Sequence, residues 1–417
     1  MKEIARSRYL AKLESRRENG LVKILTGIRG CGKSYLLDPI FRRALVASGV
    51  PEDHILKVDL EREVNRRYWH DPGAFCAFIR SFLKDDAGMH YLLLDEIQRV
   101  DEFESVLNGL LHERNADVYV TGSSARFLSK DVITDFRGRG DEVRVRPLTF
   151  EEFLGGREGD RGGALGEYLA YGGMPLVLSK ETNEEKAAYL KDFLEEGCFP
   201  EIAGRHGIRR KDALGATADI LAASIGSPSN PLRIHEAFRK SGGAGLAPNT
   251  VSSALASLED AFVVEKATRF DIRRRRRIGT PAKYYFTDLG LRNARLGFSD
   301  RDELRLMENL VFNELQGRGF EVAVGAVEAR ERNGSRKLEE IDFVCDKGSR
   351  RYYIQTALCL EDREKTAEVS EPLLRVRDSF RKIIVVRQQW MRPWHTEDGI
   401  LVLALSDFLL DPKSIDF

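Results

Sequence analysis

The sequence predicts an α/β protein built of several domains. Apolar, β-prone runs alternate with helix-patterned segments, a glycine-rich turn joins the first such run to a helix, and a later wholly apolar run ends in two acids. The turn lies in residues 21 to 34, LVKILTGIRGCGKS, and reads Gly27-x-x-x-x-Gly32-Lys33-Ser34, the full P-loop pattern. Glycines let backbone N–H groups approach a polyphosphate with no Cβ in the way. The cradle comprises Gly27, Ile28, Arg29, Gly30, Cys31, Gly32, Lys33, Ser34 and Tyr35. Lys33 is placed to carry a point charge to the β- and γ-phosphates of ATP, and Ser34 to offer its hydroxyl to Mg²⁺. A helix is expected from Ser34 to about Leu45, its positive end toward the phosphates.

Composition sets the frame. The 417 residues are enough for two to four domains, and 42% hydrophobic with 32% charged residues describes a soluble globular chain. Lys+Arg and Asp+Glu both number 66, so only local patches bear on nucleic-acid binding. The charged start excludes a signal peptide, and no apolar run reaches the ~20 residues that a membrane span needs. Five cysteines with no C-x-x-C pair fit a reducing cytoplasm and no zinc site.

The next elements follow from pattern. Residues 54 to 60, HILKVDL, read as a strand ending near Asp59 and Glu61; residues 71 to 85 read as a helix with Phe75, Phe78, Ile79 and Phe82 on one face. YLLLDEIQ, 91 to 98, is the apolar run, as expected for a parallel strand covered on both faces. Its end is where open α/β sheets place their chemistry. Asp95 suits Mg²⁺ and Glu96 suits a general base for the attacking water. DVYVTGSS, 117 to 124, ends in Thr121, Ser123 and Ser124; placed between the first strand and the Asp95 strand, it would aim these hydroxyls at a γ-phosphate, while the two serines also serve as a helix N-cap. Arg137-Gly138-Arg139-Gly140 and a fifth strand, EVRVRPL, follow. An arginine here reads either as a finger for a neighbouring subunit's nucleotide or as a solvated turn.

GIRGCGKS, LLLDEIQ, TGSSARFLS, Gly138-Arg139 and PLTFEEFL (147 to 154) together resemble a prokaryotic AAA-type P-loop ATPase family with a C-terminal region of uncharacterised function. KYYFTDLGLRNARLGF, ENLVFNEL and EIDFVC extend the resemblance over nearly the whole chain. It implies an ATPase that binds ATP or ADP and oligomerises, with Ser123 or Ser124 as sensor and Arg139 as the finger. Gly30 stands where the family often has arginine, and Ser124 where it often has asparagine; the second departure bears on hydrolysis rate.

The domains are expected as 1–146, the ATPase core; 147–205, a helical lid with Gly172-Gly173 as a hinge; 206–300, a winged helix; and 301–417, a restriction-endonuclease-like α/β domain. In the third, Pro248-Asn249-Thr250 starts a helix with Val251, Leu255 and Leu258 inward, and a hairpin carries Arg273, Arg274, Arg275, Arg276 and Arg277. Asn249, Thr250 and Ser253 would face DNA bases, and the arginines phosphates. A solvated loop and a protein-binding surface are the other readings of the arginine run. In the last domain, Glu308 and Asp342 match the first two metal-binding acids of the nuclease layout. The next strand has Gln355-Thr356-Ala357 where Glu-x-Lys is required, so cleavage chemistry is expected to be lost. The function expected is an ATP-driven switch that engages double-stranded DNA or a protein. An ATP-gated nuclease and a nucleotide-binding scaffold with negligible turnover are the alternatives.

Overall fold

The computed structural model describes residues 3–86, 88–122, 138–157, 163–208, 210–240, 246–299, 302–330, 336–388 and 391–416. The chain divides into two compact units, Lys2–Pro147 with Asp260–Phe262, and Leu148–Glu259 with Val263–Phe417.

The amino-terminal unit is built on strands β1 (Val22–Thr26), β2 (Ile55–Asp59), β3 (His90–Asp95), β4 (Ala116–Thr121) and β5 (Gly140–Arg144). All pair in parallel, in the order β2-β3-β4-β1-β5. The Thr121 strand therefore lies between the first strand and the Asp95 strand, as the sequence reading requires. Every residue of β1 and β3 is buried, because helices cover both faces of a parallel sheet. One core cluster joins Ile24, Leu92, Leu94 and Val120 to Phe75 and Ile79 of helix Pro72–Phe82, with Phe78 and Phe82 packed against it. That helix starts at Asp71, whose carboxylate accepts from the Ala74 amide at 2.8 Å. Lys23, the one charge in β1, is fully buried and paired with Asp117 of β4.

One element differs from expectation. The helix after the P-loop begins at Lys33–Tyr35 but is broken at Asp38, which has extended angles (φ −147°, ψ 121°) ahead of Pro39. A residue before proline is pushed out of the α region by the ring, so a kink interrupts the π-helical stretch Leu36–Phe41 before the α-helix Arg42–Ala47.

The second unit holds helices Lys211–Ala223, Pro231–Lys240 and Pro248–Asp260 and an eight-stranded sheet. Its strands are β6 (Val264–Asp271), β7 (Arg276–Phe286), β8 (Glu321–Arg330), β9 (Arg336–Lys347), β10 (Arg350–Ala357), β11 (Arg381–Val386), β12 (Trp394–His395) and β13 (Leu401–Ala404). Their order is β12-β13-β11-β10-β9-β8-β6-β7. The sequence pattern separates the β6–β7 hairpin from the carboxy-terminal strands at about residue 300. In the structure β6 pairs in parallel with β8, Arg269 to Asp271 opposite Val324 to Ala326, so the hairpin extends that sheet. The pairing satisfies a backbone edge that a free-standing hairpin would leave open.

A β-bulge shapes the middle of this sheet. Between the pairs Ala323–Val344 and Gly325–Ile341, Asp342 and Phe343 together oppose Val324. A bulge breaks the alternation of side chains. Phe343 packs near Tyr285 and Phe312, with centroids 6.0 and 6.2 Å away, whereas Ile341 and Val344 join a separate apolar cluster with Tyr353 and Leu373.

The expected hinge at Gly172-Gly173 is instead a packing point. A Cβ on Gly173 would stand 2.2 Å from the Leu148 carbonyl oxygen, and one on Gly172 2.2 Å from Oδ1 of Asp288. Asp288 accepts from the Gly173 amide at 2.6 Å and the Leu291 amide at 3.1 Å. Glycine is required here for close approach. Among the described residues no helix is long and apolar enough to cross a membrane. Gly173→Ala is expected to destabilise this unit by about 1–3 kcal/mol, the usual cost of overpacking. Thermal unfolding checks this, and an unchanged melting temperature would contradict the packing role.

Candidate functional site

The glycine-rich turn leaves the end of β1 with its backbone curled by three left-handed glycines, Gly27 (φ 142°), Gly30 (φ 71°) and Gly32 (φ 96°). Gly27 is fixed twice, because a Cβ there would also lie 2.0 Å from the Val145 carbonyl oxygen. Cys31 is fully buried, its thiol 3.4 Å from that same carbonyl, so it fills space beneath the loop. Lys33 is 4% exposed and its ammonium donates to the carbonyls of Gly27 (2.9 Å) and Ile28 (3.1 Å). The cation is thus held over the turn. Ile28 is buried below it, while Arg29, Gly30 and Tyr35 lie on the outer side.

Asp95, at the end of β3, receives the next contacts. Its Oδ1 accepts from Ser34 Oγ at 3.0 Å and from Thr121 Oγ1 at the end of β4. Thr121 also accepts from the Glu96 amide at 2.9 Å. Glu96 takes a left-handed conformation (φ 54°) that turns it off the strand axis, and its carboxylate accepts from Gln98 Nε2. Burial raises the pKa of both acids; at Glu96 the Lys33 charge opposes this, and at Asp95 the hydroxyls of Thr121 and Ser34 do. The sheet order thus gathers Lys33, Ser34, Asp95, Glu96 and Thr121 at the carboxyl ends of three adjacent strands. Ser34 and Asp95 present hard oxygen donors together, the donor type Mg²⁺ takes. Gln98 was missed by the sequence reading; its position two residues past Glu96 was the available signal.

The other candidates fall elsewhere. Ser123 and Ser124 lie outside the described residues. Arg139 is exposed and precedes β5, its carbonyl accepting from the Val22 amide at 2.9 Å. It therefore stands at the amino ends of the strands, opposite the sheet edge that carries the P-loop. Asn249 and Ser253 are exposed on helix Pro248–Asp260 and Thr250 is half-buried, with Val251, Leu255 and Leu258 buried on the inner side. All five arginines from Arg273 to Arg277 are exposed; Arg273 pairs with Glu328, Arg274 with Asp271 (3.8 Å) and Arg277 with Glu321 (2.8 Å).

A parallel sheet with a P-loop after its first strand and an acidic pair on a non-adjacent one is the arrangement of a P-loop domain of the AAA type. Residues 19–154 match the family model described as an AAA domain, and residues 163–302 match a domain of unknown function. The chain belongs to one family with an uncharacterized protein of Haemophilus influenzae, to which it is 32% identical over 98% of each chain. It is 24% identical to an uncharacterized protein of Methanocaldococcus jannaschii, over 84% of this chain and 77% of that one. Among solved structures it is similar to the Aeropyrum pernix Orc1 protein in complex with DNA (15% identity, 76% of this chain, 94% of that chain, TM-score 0.29). A second is the replication initiator DnaA bound to AMPPCP and single-stranded DNA (17%, 62%, 89%, 0.32).

The second unit holds a buried ionic cluster that differs from the sequence expectation in one respect. Glu308, on helix Glu303–Gly317, accepts from Lys283 Nζ at 2.8 Å and from the Tyr285 hydroxyl at 2.5 Å. Lys283 also pairs with Glu340 at 2.5 Å. Asp342 accepts from the Thr356 amide (2.8 Å) and hydroxyl (2.6 Å), and Gln355 accepts from the Asp342 amide (3.2 Å). The sequence lacks a lysine on β10, yet β7 delivers Lys283 to Glu308 and Glu340 from another part of the chain. Burial acts to lower the Lys283 pKa, but Glu308, Glu340 and Asp342 more than offset it, so the ammonium form is favoured. Burial, then the Glu308 charge, pushes Asp342 up to about 7, and burial pushes Asp288 up to about 6. Both acids are raised from an ordinary value of 3.8. Their contribution to stability is therefore complete below that value and is lost as pH rises through about 6 and 7. The melting temperature is expected to fall between about pH 4 and 7 from these two groups. Asp342→Asn should remove the part of that fall that extends up to about 7. A wild-type melting temperature that rises across the window would sink this assignment.

Proposed function

We propose that this protein is a Mg²⁺-dependent ATP-hydrolysing switch that couples its nucleotide state to self-assembly and to contact with double-stranded DNA. The observation that carries the reading is Glu96 beside Asp95, at the end of β3, gathered with Lys33 and Ser34 of the loop after β1 across the intervening strand β4. A protein that only holds nucleotide has no need of a second, desolvated carboxylate there. Lys33 and the turn's amides bind the phosphates; Ser34 and Asp95 would hold Mg²⁺, which neutralises phosphate charge when bound. Glu96, held by Gln98, accepts the proton of the attacking water, and Thr121 fixes the backbone from which Glu96 projects. ATP gives ADP and phosphate, the γ-phosphoryl passing to that water.

The DNA part rests on exposed Asn249 and Ser253, one helical turn apart, and on the arginine-rich hairpin. An ATP-gated nuclease is disfavoured, because Gln355 and Ala357 bring neither charge nor amine and Lys283 already neutralises Glu308. Arg139 is a candidate finger for a neighbouring subunit, since it stands away from its own P-loop.

Two measurements test the reading. Lys33→Ala is expected to abolish ATP binding, whereas Glu96→Gln keeps ATP bound and slows turnover by about 10²-fold or more. Equal loss of ATP affinity in both would remove Glu96 from catalysis. Arg139→Ala should lower turnover with ATP affinity kept, and mixing it with Lys33→Ala subunits should restore part of the activity, where one subunit's intact finger meets another's intact P-loop. Full activity of Arg139→Ala alone would return that arginine to the role of a solvated turn.

A further inference from the structure

The β6–β7 hairpin tip overhangs a cleft of about 1020 Å³ on the side of the sheet that carries helix Arg363–Leu374. Four arginines line it: Arg273 and Arg275 from the tip, and Arg375 and Arg377 from the segment after the helix. The two acids in the lining are already engaged. Glu328 holds Arg273, and Asp378 accepts from the Tyr353 hydroxyl at 2.6 Å and the Phe380 amide at 3.2 Å. Arg375 is held by Glu339 at 2.7 Å and by Glu371. Arg275 and Arg377 are exposed and have no acidic partner among the described residues. Two permanently charged, fork-shaped groups thus point to one cleft with their donors unspent.

The backbone at Arg275 adds a separate observation. The turn runs from Ile272 to Arg275 between the paired residues Asp271 and Arg276, and Arg275 has φ 51°. Glycine or asparagine suits that left-handed position; an arginine there is strained, and strain retained at an exposed tip points to use of the side chain. Beyond Arg275 a second cleft of about 590 Å³ mixes Lys347, Arg350 and Arg351 with Glu321 and Asp346, and its cations are engaged: Arg351 by Asp346 at 2.6 Å, Arg350 by Asp416 at 3.4 Å and Lys347 by the Arg318 carbonyl at 2.7 Å. The arginines with unspent donors are therefore those of the first cleft. Four arginines along one cleft, on a chain of zero net charge, suit a polymer of evenly spaced anions better than a single carboxylate.

We propose that this cleft seats the phosphodiester backbone of a nucleic acid, with Arg275 and Arg377 as phosphate contacts. The site deepens the DNA reading above and rests on it, while drawing on residues outside the hairpin. It is distinct from the Glu308–Asp342 cluster. Beneath the cleft lie Ile341, Leu373 and Val376 of one apolar cluster, whereas the bulge turns Asp342 toward Glu308.

The test is fluorescence anisotropy of a labelled duplex, and of one of its strands alone, with the full-length protein over a salt series. Arg377→Ala and Arg275→Gly are each expected to weaken duplex binding about eightfold at 0.1 M salt and to flatten the log–log salt slope by about 0.9, the double variant by about 1.8. Arg275→Gly relieves the left-handed strain, so its melting temperature should be no lower than that of the wild type and lost binding cannot be laid to misfolding. Arg363→Ala removes an exposed arginine outside the cleft and should leave the slope unchanged. A loss confined to the single strand would support the cleft and identify an unpaired strand as its occupant. Wild-type binding to the duplex, with the slopes for duplex and single strand both unchanged in the two cleft variants, would overturn the cleft and leave the DNA reading standing, as would an equal loss in Arg363→Ala. No wild-type binding to either probe at low salt, with ATP or without, would overturn both.

Discussion

One carboxylate oxygen ties the nucleotide site together. Oδ1 of Asp95 accepts from Ser34, the last residue of the P-loop after β1, and from Thr121, at the end of β4. Three strands meet at that atom, and the parallel order β3-β4-β1 is what allows it. A buried carboxylate is costly unless its lone pairs are used. Two hydroxyl donors reduce that cost while keeping the acid within reach of a cation. Gly27 imposes the complementary constraint. Its missing Cβ lets the Val145 carbonyl approach, which fixes the turn against the segment after β5 and sets where Lys33 stands.

The second unit solves a related problem by a different route. Glu308, Glu340 and Asp342 are three acids around one lysine, and burying them uncompensated would be strongly destabilising. Lys283 bridges two of them, Tyr285 donates to the first, and Thr356 donates twice to the third. The lysine comes from the hairpin and the acids from a helix and β9. The cluster therefore binds the hairpin to the sheet, together with the β6–β8 pairing. The two features explain why this region folds as part of one unit and not as a hairpin standing free. They also bring the tip arginines alongside the segment that follows helix Arg363–Leu374.

Much of the nucleotide site was legible in the sequence because its chemistry is local. The P-loop spacing named the phosphate cradle, and an apolar run closing on Asp95-Glu96 named the acids. The partners that need distant chain were not legible. Gln98 gave only a weak signal, and Lys283 gave none, because a lysine on a hairpin strand reads as a solvated charge. The break at Asp38 was written in the sequence as an X-Pro step, but the helical pattern on both sides obscured it. The Gly172-Gly173 pair suggested a hinge, since glycines at a helix end usually do; only the positions of Leu148 and Asp288 reveal close packing.

By itself, then, the sequence determined the α/β class with its parallel sheet, the glycine-rich turn after the first strand and the acidic pair that ends β3, since each depends on residue type at fixed short spacing. The tertiary structure decided which strands are neighbours, so that Thr121 and Ser34 share one oxygen of Asp95. It also decided that Arg139 stands at the sheet edge opposite the P-loop, and that Asp342 turns toward Glu308 through a bulge. These outcomes depend on pairing between segments tens of residues apart. Such pairing is selected by burial and backbone hydrogen bonding over the whole sheet, which no short stretch of sequence encodes.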